Sequence, residues 1–157
     1  MPRRTLGTVQ IASPAGPGDA RWLLLRVQLW PQASEAEHLH DMRDAWERGH
    51  FVRLALTQRD SAAGFVEASM RVDYVNGTSS SPVAFLEELF VEPAMRGKGI
   101  ARALVAEVER WALSEGCSEL ASDSLLESAS AHAVHRALGF EETERVVYFR
   151  RALHRTH

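Results

Sequence analysis

The feature that most constrains the fold of this chain is an apolar strand that leads through a glycine-containing turn into an amphipathic helix. The strand is predicted over 83–91, where Glu87 and Glu88 are the charged interruptions, and Pro93 ends it. The helix is predicted over 100–115, because apolar residues recur there at helical spacing. A buried strand followed closely by such a helix indicates an α/β domain.

The turn between this strand and helix has the composition of an anion-binding site. Backbone N–H groups from Gly97 to Ala101 are predicted to be free at the start of the helix, where the helix dipole adds partial positive charge. Gly97 and Gly99 let a ligand approach the backbone closely, and Arg96 and Lys98 add charge, which together suit a pyrophosphate. The alternative is a tight turn that binds no ligand.

The rest of the sequence predicts one α/β domain spanning residues 1–157, with a mixed sheet and no internal repeat. Asp19 and Ser34 are predicted N-caps, and Glu37 completes a capping box with Ser34. The predicted strands cover 6–12, 51–57, 64–75, 83–91, 120–122 and 141–150. The predicted helices cover 20–30, 35–48 and 100–115, and a fourth helix is predicted to begin at Ser128 or Ser130 and to end at Gly139.

Composition excludes several classes of protein. The formal net charge of −3 lacks the basic excess of nucleic-acid-binding proteins, and no apolar stretch approaches the roughly 18 residues of a membrane span. Cys117 is the only cysteine, so no internal disulfide is expected and the residue is interpreted as small and buried. Without an apolar run of signal-peptide length, a cytoplasmic location is expected. The seven histidines lack convincing ligand spacing, so no metal is expected, although His132 and His135 on one helix leave zinc as an alternative.

Segment 91–101, with its Arg-x-x-Gly-x-Ala spacing, resembles the coenzyme-A pyrophosphate loop of the GNAT superfamily of acetyltransferases. The resemblance implies the GNAT fold, an α/β fold with a mixed, mostly antiparallel central sheet flanked by helices. It also implies acetyl-CoA as the co-substrate, with the backbone of Leu89–Val91 pairing with the pantetheine arm like an added strand. A bulge in this strand is expected to leave one N–H free to polarise the thioester carbonyl. The implied cofactor-binding residues are Leu89, Phe90, Val91, Arg96, Gly97, Lys98, Gly99, Ile100, Ala101, Arg102 and Ser128.

The segment that begins at Ser128 resembles the second half of the same fold. Many GNAT members have Asn at this first position and Tyr at the position of His135, where the Tyr protonates the departing CoA thiolate. His135 is therefore a candidate for that acid, since imidazole titrates in the right range. The alternatives are a partly buried helix histidine and a mechanism without a dedicated acid, because a thiolate leaves readily.

Further motifs resemble the chromosomal type of aminoglycoside 6′-N-acetyltransferase, and the resemblance extends over residues 22–150. These motifs are Leu29-Trp30-Pro31, Asp73-Tyr74-Val75-Asn76-Gly77-Thr78, Ser81-Pro82-Val83, Phe85-Leu86-Glu87, Ala121-Ser122-Asp123 and Gly139-Phe140-Glu141-Glu142-Thr143-Glu144-Arg145-Val146. The resemblance implies transfer of an acetyl group from acetyl-CoA to the 6′-amine of aminoglycosides, and hence resistance to them. The alternatives are acetylation of another primary amine, such as a polyamine or a peptide N-terminus, and a non-catalytic acyl-CoA-binding module.

The resemblance assigns aminoglycoside contacts to Trp30, Tyr74, Glu87, Asp123 and Glu144. Separated carboxylates bind ammonium groups through charge-assisted hydrogen bonds, and aromatic faces receive sugar rings or cations. Each residue also has a structural interpretation. Glu87 could form an ion pair, Asp123 could cap a helix and Glu144 could lie on a solvated face. Trp30 could belong to the core, and Tyr74 could simply be an exposed loop residue.

The expected mechanism is direct attack of a neutral amine on the acetyl thioester. A carboxylate then has to accept a proton, and Glu87 is the first candidate, followed by Asp123. Glu88 would point to the opposite face in a regular strand.

The apolar segment Val146–Phe149 in the last predicted strand could pair across a subunit boundary. The resemblance implies a homodimer, since members of the family are often dimeric, and this segment is the expected place of contact.

Overall fold

A computed structural model describes residues 5–6 and 9–155 of the chain. The chain divides into two compact units, one ending at Asp123 and the other beginning at Ser124. A single domain over residues 1–157 stays a prediction.

The first unit contains a six-stranded sheet in which the strands follow one another in chain order. Its strands are β1 (Thr5–Leu6), β2 (Val9–Ala12), β3 (Phe51–Thr57), β4 (Ala62–Arg71), β5 (Val83–Val91) and β6 (Leu120–Ala121). Neighbours from β1 to β5 are antiparallel, and β6 runs parallel to β5. The expected mixed, mostly antiparallel sheet is therefore confirmed. Of the expected first strand over 6–12, residues 7–8 lie outside the described ranges.

The described residues of this unit form three α-helices, and local capping chemistry sets where two of them begin. They are α1 (Ala20–Leu29), α2 (Glu35–Glu47) and α3 (Ile100–Ser114). The Asp19 carboxylate accepts from the Arg21 backbone N–H at 2.9 Å and so caps α1. Ser34 and Glu37 form the predicted capping box at the start of α2.

The hairpin between β3 and β4 is tighter than the expected turn over 58–63. The Thr57 backbone N–H donates to the Ser61 carbonyl at 2.8 Å, and Asp60 adopts a positive φ of 61°. This short closure lets β4 begin at Ala62, two residues earlier than predicted, and the strand ends at Arg71 instead of residue 75.

Successive side chains of a strand point to opposite faces of the sheet, so the core has one part on each face. On one face, Trp22 and Leu25 of α1 and Met42 of α2 pack against Leu54 and Phe65 of the sheet.

On the other face, α3 buries a stripe that includes Leu104 and Val108. A Cβ built at Gly64 would lie 3.4 Å from the Ile100 side chain and 2.8 Å from the Phe90 carbonyl, so glycine allows this close approach. Cys117 is buried beside Ala112, as expected for a small apolar residue.

The second unit contains α4 (Ala129–Ala137), which confirms the predicted helix. The predicted strand over 141–150 was wrong, because no strand is formed by these residues in the structure. A strand needs a neighbour to satisfy its backbone groups, and this segment has none in the described part of the chain. Its apolar side chains are instead solvent-exposed, Tyr148 by 82% and Phe149 by 93%.

The N-cap of α1 gives a test of how this helix is anchored. Asp19 is nearly buried, and hydrogen bonds from the Arg21 side chain hold the pKa of its carboxyl at about 2. We expect Asp19→Ala to lower the free energy of unfolding by about 1–2 kcal/mol at pH 7, measured by urea denaturation. The ionised Asp19 carboxylate contributes fully to the stability of the wild type above its ordinary pKa of 3.8, and this contribution is lost as the pH falls through about 2. The difference in free energy of unfolding between wild type and Asp19→Ala therefore shrinks on acidification. Asp19→Asn, which keeps an acceptor, serves as the control, and equal stability of wild type and Asp19→Ala at pH 7 would contradict the assignment.

Candidate active site

A β-bulge in the middle of β5 organises the acidic side chains of the first unit. Glu88 pairs with Glu67 of β4, but the next pair joins Leu86 with Ala68, so Glu87 has no partner on β4. In a regular strand Glu87 and Glu88 would point to opposite faces of the sheet. The extra residue changes this alternation, and both carboxylates lie on the face covered by α1.

Contacts of the two side chains establish their common orientation. The Glu87 carboxylate accepts from Ser69 Oγ at 2.5 Å and from Arg71 Nη2 at 3.0 Å. Glu88 pairs with Glu67 of β4, which lies two residues from Ser69 and therefore on the same face of the sheet. The expectation that Glu88 points away from Glu87 was therefore wrong, because it assumed a regular strand.

A buried ion pair connects this face of the sheet to α1. Arg26 Nη1 lies 2.6 and 2.7 Å from the two oxygens of Glu67, and Trp22 Nε1 donates to the same carboxylate at 2.8 Å. Burial raises the pKa of the Glu67 carboxyl, and the charge and hydrogen bonds of Arg26 oppose that rise. Asp41 of α2 lies 3.7 Å from Arg26 and makes a second, more exposed pair.

The charges on this face do not balance. Glu67 is paired with Arg26 and Glu87 with Arg71, whereas no basic side chain of the described residues lies within ion-pair distance of Glu88. Burial raises the pKa of the Glu88 carboxyl to about 7, and the negative charge of Glu67 contributes to the rise. Sequence reasoning missed Glu88, because only the cross-strand register shows where its carboxylate points.

The structure places several of the predicted substrate contacts in the first unit. Trp30 is 41% exposed, and its carbonyl accepts from the buried His38 ring at 3.0 Å. Tyr74 is 76% exposed in the loop after β4. Asp123 is exposed just after β6. Phe85 of β5 pairs with Ala121 of β6, and Glu87 and Asp123 each lie two residues further along these parallel strands. The fifth predicted substrate contact, Glu144, lies in the second unit, as do the predicted cofactor contact Ser128 and the predicted acid His135.

In that second unit, Ser128 precedes α4 and is half-buried, and Glu144 is exposed. His135 donates from Nδ1 to the Ala131 carbonyl at 2.7 Å and meets the Phe140 ring edge-on, with 5.3 Å between ring centroids. The functional assignments of Ser128, His135 and Glu144 stay predictions.

The turn between β5 and α3 has the free backbone donors of an anion site. Gly97 and Gly99 have positive φ values of 77° and 80°, which suit glycine. The N–H groups from Gly97 to Gly99 donate to no atom of the described chain, and Gly99 directly precedes the first turn of α3. Arg96 has a further role, since its Nε donates to the Val91 carbonyl at 2.9 Å.

The outer edge of β5 is open beside this turn. On that side, the ladder with β6 contains only the pairs of Ala84 with Leu120 and Phe85 with Ala121. Within the described residues, no strand pairs with Leu89–Val91 on that edge. An extended ligand with amide groups and a pyrophosphate, such as coenzyme A, fits an open strand edge followed by a cluster of free N–H groups.

In residues 5–6 and 9–155, no three His, Cys, Asp or Glu side chains come together to hold a metal ion. None of the helices in these ranges is both long and apolar enough to cross a membrane.

Comparisons with known proteins agree with this architecture. Residues 20–140 match the sequence profile described as the acetyltransferase (GNAT) family. The aminoglycoside N(6′)-acetyltransferase type 1 of Stenotrophomonas maltophilia is 50% identical over 148 residues, which cover 93% of this chain and 94% of the relative. The protein of the same name from Acinetobacter baumannii is 50% identical over 131 residues, covering 83% and 89%.

Solved structures give the same result at the level of the fold. The aminoglycoside antibiotic 6′-N-acetyltransferase AAC(6′)-Ih from Acinetobacter baumannii superposes with a TM-score of 0.86 at 46% identity, covering 92% of this chain and 99% of that one. AAC(6′)-Iy in complex with the bisubstrate analogue CoA-S-monomethyl-acetylneamine superposes with a TM-score of 0.79 at 46% identity, covering 85% and 90%. The expected GNAT fold is confirmed.

The unbalanced charge at Glu88 predicts an unusual effect on stability. With a pKa raised from 4.5 to about 7, the Glu88 carboxyl stabilises the folded state most below pH 4.5, and this contribution is lost as the pH rises through 7. Glu88→Gln removes the titration and keeps a side chain of nearly the same size and shape. We expect it to raise the free energy of unfolding by roughly 1–3 kcal/mol at pH 8, and by little at pH 5.

Urea denaturation at both pH values measures this difference. Glu109→Gln, on the exposed side of α3, is the matched control and should leave stability unchanged. A Glu88→Gln variant that is less stable than the wild type at pH 8 would contradict the charge imbalance.

Proposed function

The chain belongs to the acetyltransferase (GNAT) family, and we propose that it transfers the acetyl group of acetyl-CoA to the 6′-amino group of aminoglycoside antibiotics, conferring resistance to them. The observation that carries the proposal is the composition of one strand. β5 bears the two bulge carboxylates on the α1 face and ends at the turn with free N–H groups. Carboxylates that suit a polycation and backbone donors that suit a pyrophosphate would then lie on one strand and on the turn that follows it.

The chemistry of the turn supports acetyl-CoA as the co-substrate, which supplies an acetyl group activated as a thioester. The N–H groups from Gly97 to Ala101 would hold the pyrophosphate, with positive charge from Lys98 and Arg102 nearby. The Arg96 guanidinium is partly engaged by the Val91 carbonyl, so its contribution to the ligand is the smaller.

Backbone groups along the open edge of Leu89–Val91 would orient the pantetheine arm. The bulge at Glu87 disrupts the ladder with β4, which supports the expectation that one N–H of this strand is free to polarise the carbonyl under attack. The roles of Phe90 and Ile100 in this site rest on their positions in the same strand and turn.

The acidic face supports an aminoglycoside as the acceptor. Glu87 and Asp123 would bind ammonium groups, while Trp30 and Tyr74, both exposed, would contact the sugar rings. Glu144 is a further predicted contact. This set of anions and aromatic side chains suits a polyhydroxylated polycation.

Direct attack requires the substrate ammonium to lose a proton first. Glu87 remains the first candidate for accepting that proton and Asp123 the second. Ser69 and Arg71 hold the Glu87 carboxylate in a fixed position through hydrogen bonds at 2.5 and 3.0 Å. His135 is the predicted acid for the departing thiolate.

We also propose that the enzyme is a cytoplasmic homodimer. Access to acetyl-CoA requires a cytoplasmic location. The exposed apolar segment Val146–Phe149 supports the dimer, because large apolar side chains in a row mark interaction surfaces and an extended segment can add to a strand of a second copy.

Substrate regiochemistry tests the proposed reaction. We expect acetyl-CoA-dependent thiol release with kanamycin, which has a 6′-amine, and none with paromomycin, which has a 6′-hydroxyl. A thiol-reactive dye measures the release, and antibiotic susceptibility of a host that expresses the enzyme measures resistance. Equal turnover of both drugs would contradict transfer at the 6′ position, and turnover of neither would contradict the proposed function.

Light scattering tests the proposed dimer. At micromolar concentration we expect twice the chain mass of 17.5 kDa, because the exposed apolar segment is covered in the assembly. Phe149→Glu should shift the mass toward the monomer, whereas Leu153→Glu, at another exposed apolar residue outside the segment, should not. A wild type that is monomeric at these concentrations would contradict the proposal.

A further inference from the structure

The loop between β4 and β5, residues 72–82, presents Tyr74, one of the predicted aminoglycoside contacts. It is longer than the roughly 2–5 residues that join most neighbouring antiparallel strands. A long loop loses conformational entropy when a ligand orders it, and this loss weakens binding unless contacts within the protein already fix the loop. The contacts that hold this loop therefore bear on the affinity for a ligand that touches Tyr74.

Hydrogen bonds within the loop close it at its base and at its turn. The Ser81 hydroxyl donates to the Val72 carbonyl at 2.8 Å and so joins the two ends of the loop. Thr78 donates to the Val75 carbonyl from its backbone N–H at 3.1 Å and from its hydroxyl at 2.7 Å. These bonds shape the loop, whereas its attachment to the sheet depends on other contacts.

An apolar side chain provides the first attachment to the sheet. Val75, which follows Tyr74, is buried against Phe85 of β5. Phe85 pairs with Ser69 of β4, so its side chain lies on the same face as Ser69, which donates to Glu87. The residue after Tyr74 thus packs on the face of the sheet that carries the Glu87 carboxylate.

The second attachment comes from Glu119, the residue directly before β6. One oxygen of its carboxylate accepts from the Ser79 backbone N–H at 2.9 Å and from the Ser80 hydroxyl. Its backbone carbonyl accepts from the Ala84 N–H of β5 at 3.2 Å. Hydrogen bonds to an ionised carboxylate are stronger than those between neutral groups. Glu119 therefore holds the loop through its side chain and the sheet through its main chain.

We propose that Glu119 is a positioning residue for the acceptor substrate: its carboxylate holds the loop over 72–82 against the sheet and so keeps Tyr74 in place to receive the aminoglycoside. Because β6 lies between Glu119 and Asp123 in the chain, the same contact fixes the loop relative to this second predicted substrate contact. The inference rests on the proposed function and deepens it by naming a residue that determines the affinity for aminoglycosides. In this role Glu119 touches no substrate and takes no part in bond formation.

The first test compares the KM for kanamycin of wild type, Glu119→Ala, Glu119→Gln and the exposed control Glu109→Ala. We expect Glu119→Ala to raise this KM roughly fivefold to tenfold, because only a fraction of the molecules then holds the loop in the binding position. Both kcat and the KM for acetyl-CoA should change less than about twofold. Glu119→Gln keeps an oxygen acceptor for both donors and should stay within about threefold of the wild type. Glu109→Ala should match the wild type.

Two further variants test the contact from the side of the loop. Ser80→Ala removes one of the two donors and should raise the KM for kanamycin by about twofold to fourfold, less than Glu119→Ala does. In a Tyr74→Ala background, Glu119→Ala should raise this KM by less than about twofold, since the side chain that Glu119 positions is already absent.

If the wild type turns over kanamycin, a KM for kanamycin that Glu119→Ala leaves unchanged would overturn this inference alone. An equal rise in the KM for acetyl-CoA, or an effect of Glu119→Ala that persists in full in the Tyr74→Ala background, would do the same. If Glu119→Ala does not fold, the same outcomes measured for Ser80→Ala decide between the two results. Absence of kanamycin turnover by the wild type would overturn the proposed function and this inference with it.

Discussion

The arrangement of the first unit depends on one irregularity in the pairing of β4 with β5. The bulge at Glu87 inserts a residue between the pairs formed by Leu86 and Glu88, and so turns two consecutive carboxylates to the face covered by α1. Without it, one of these side chains would lie on the face that packs against α3. The same break in the hydrogen bonding between β4 and β5 supports a free backbone N–H in β5, the strand along which we propose that the cofactor binds.

The buried ion pair of Arg26 and Glu67 stabilises the packing of α1 against the face that carries these carboxylates. Removing one partner of such a pair typically costs about 3–5 kcal/mol, because the other charge stays buried. Burial disfavours ionisation of Glu88, the negative charge of Glu67 adds to this effect, and the positive charge of Arg26 opposes it. Glu67, which is ion-paired with Arg26, thus lies opposite Glu88, whose pKa is raised, on the adjacent strand.

Local patterns allowed much of the fold to be predicted, and long-range pairing accounts for what was missed. The caps at Asp19 and Ser34 and the bounds of β3 and β5 followed from residues close together in the sequence. The orientation of Glu88 did not, because a bulge is a property of two strands. Residues 141–150, with the apolar run Val146–Phe149, were predicted to form a strand, but a strand needs a partner, which this segment lacks in the described chain.

The titration of Glu88 itself is the most direct test of the charge imbalance on the face covered by α1. Protein labelled with ¹³C at glutamate carboxyl carbons gives one signal per residue, and the signal missing from Glu88→Gln identifies Glu88. Because burial and the negative charge of Glu67 disfavour the ionised form, we expect a pKa of about 7 for that signal. A pKa near the ordinary 4.5 would contradict the charge imbalance on this face of the sheet.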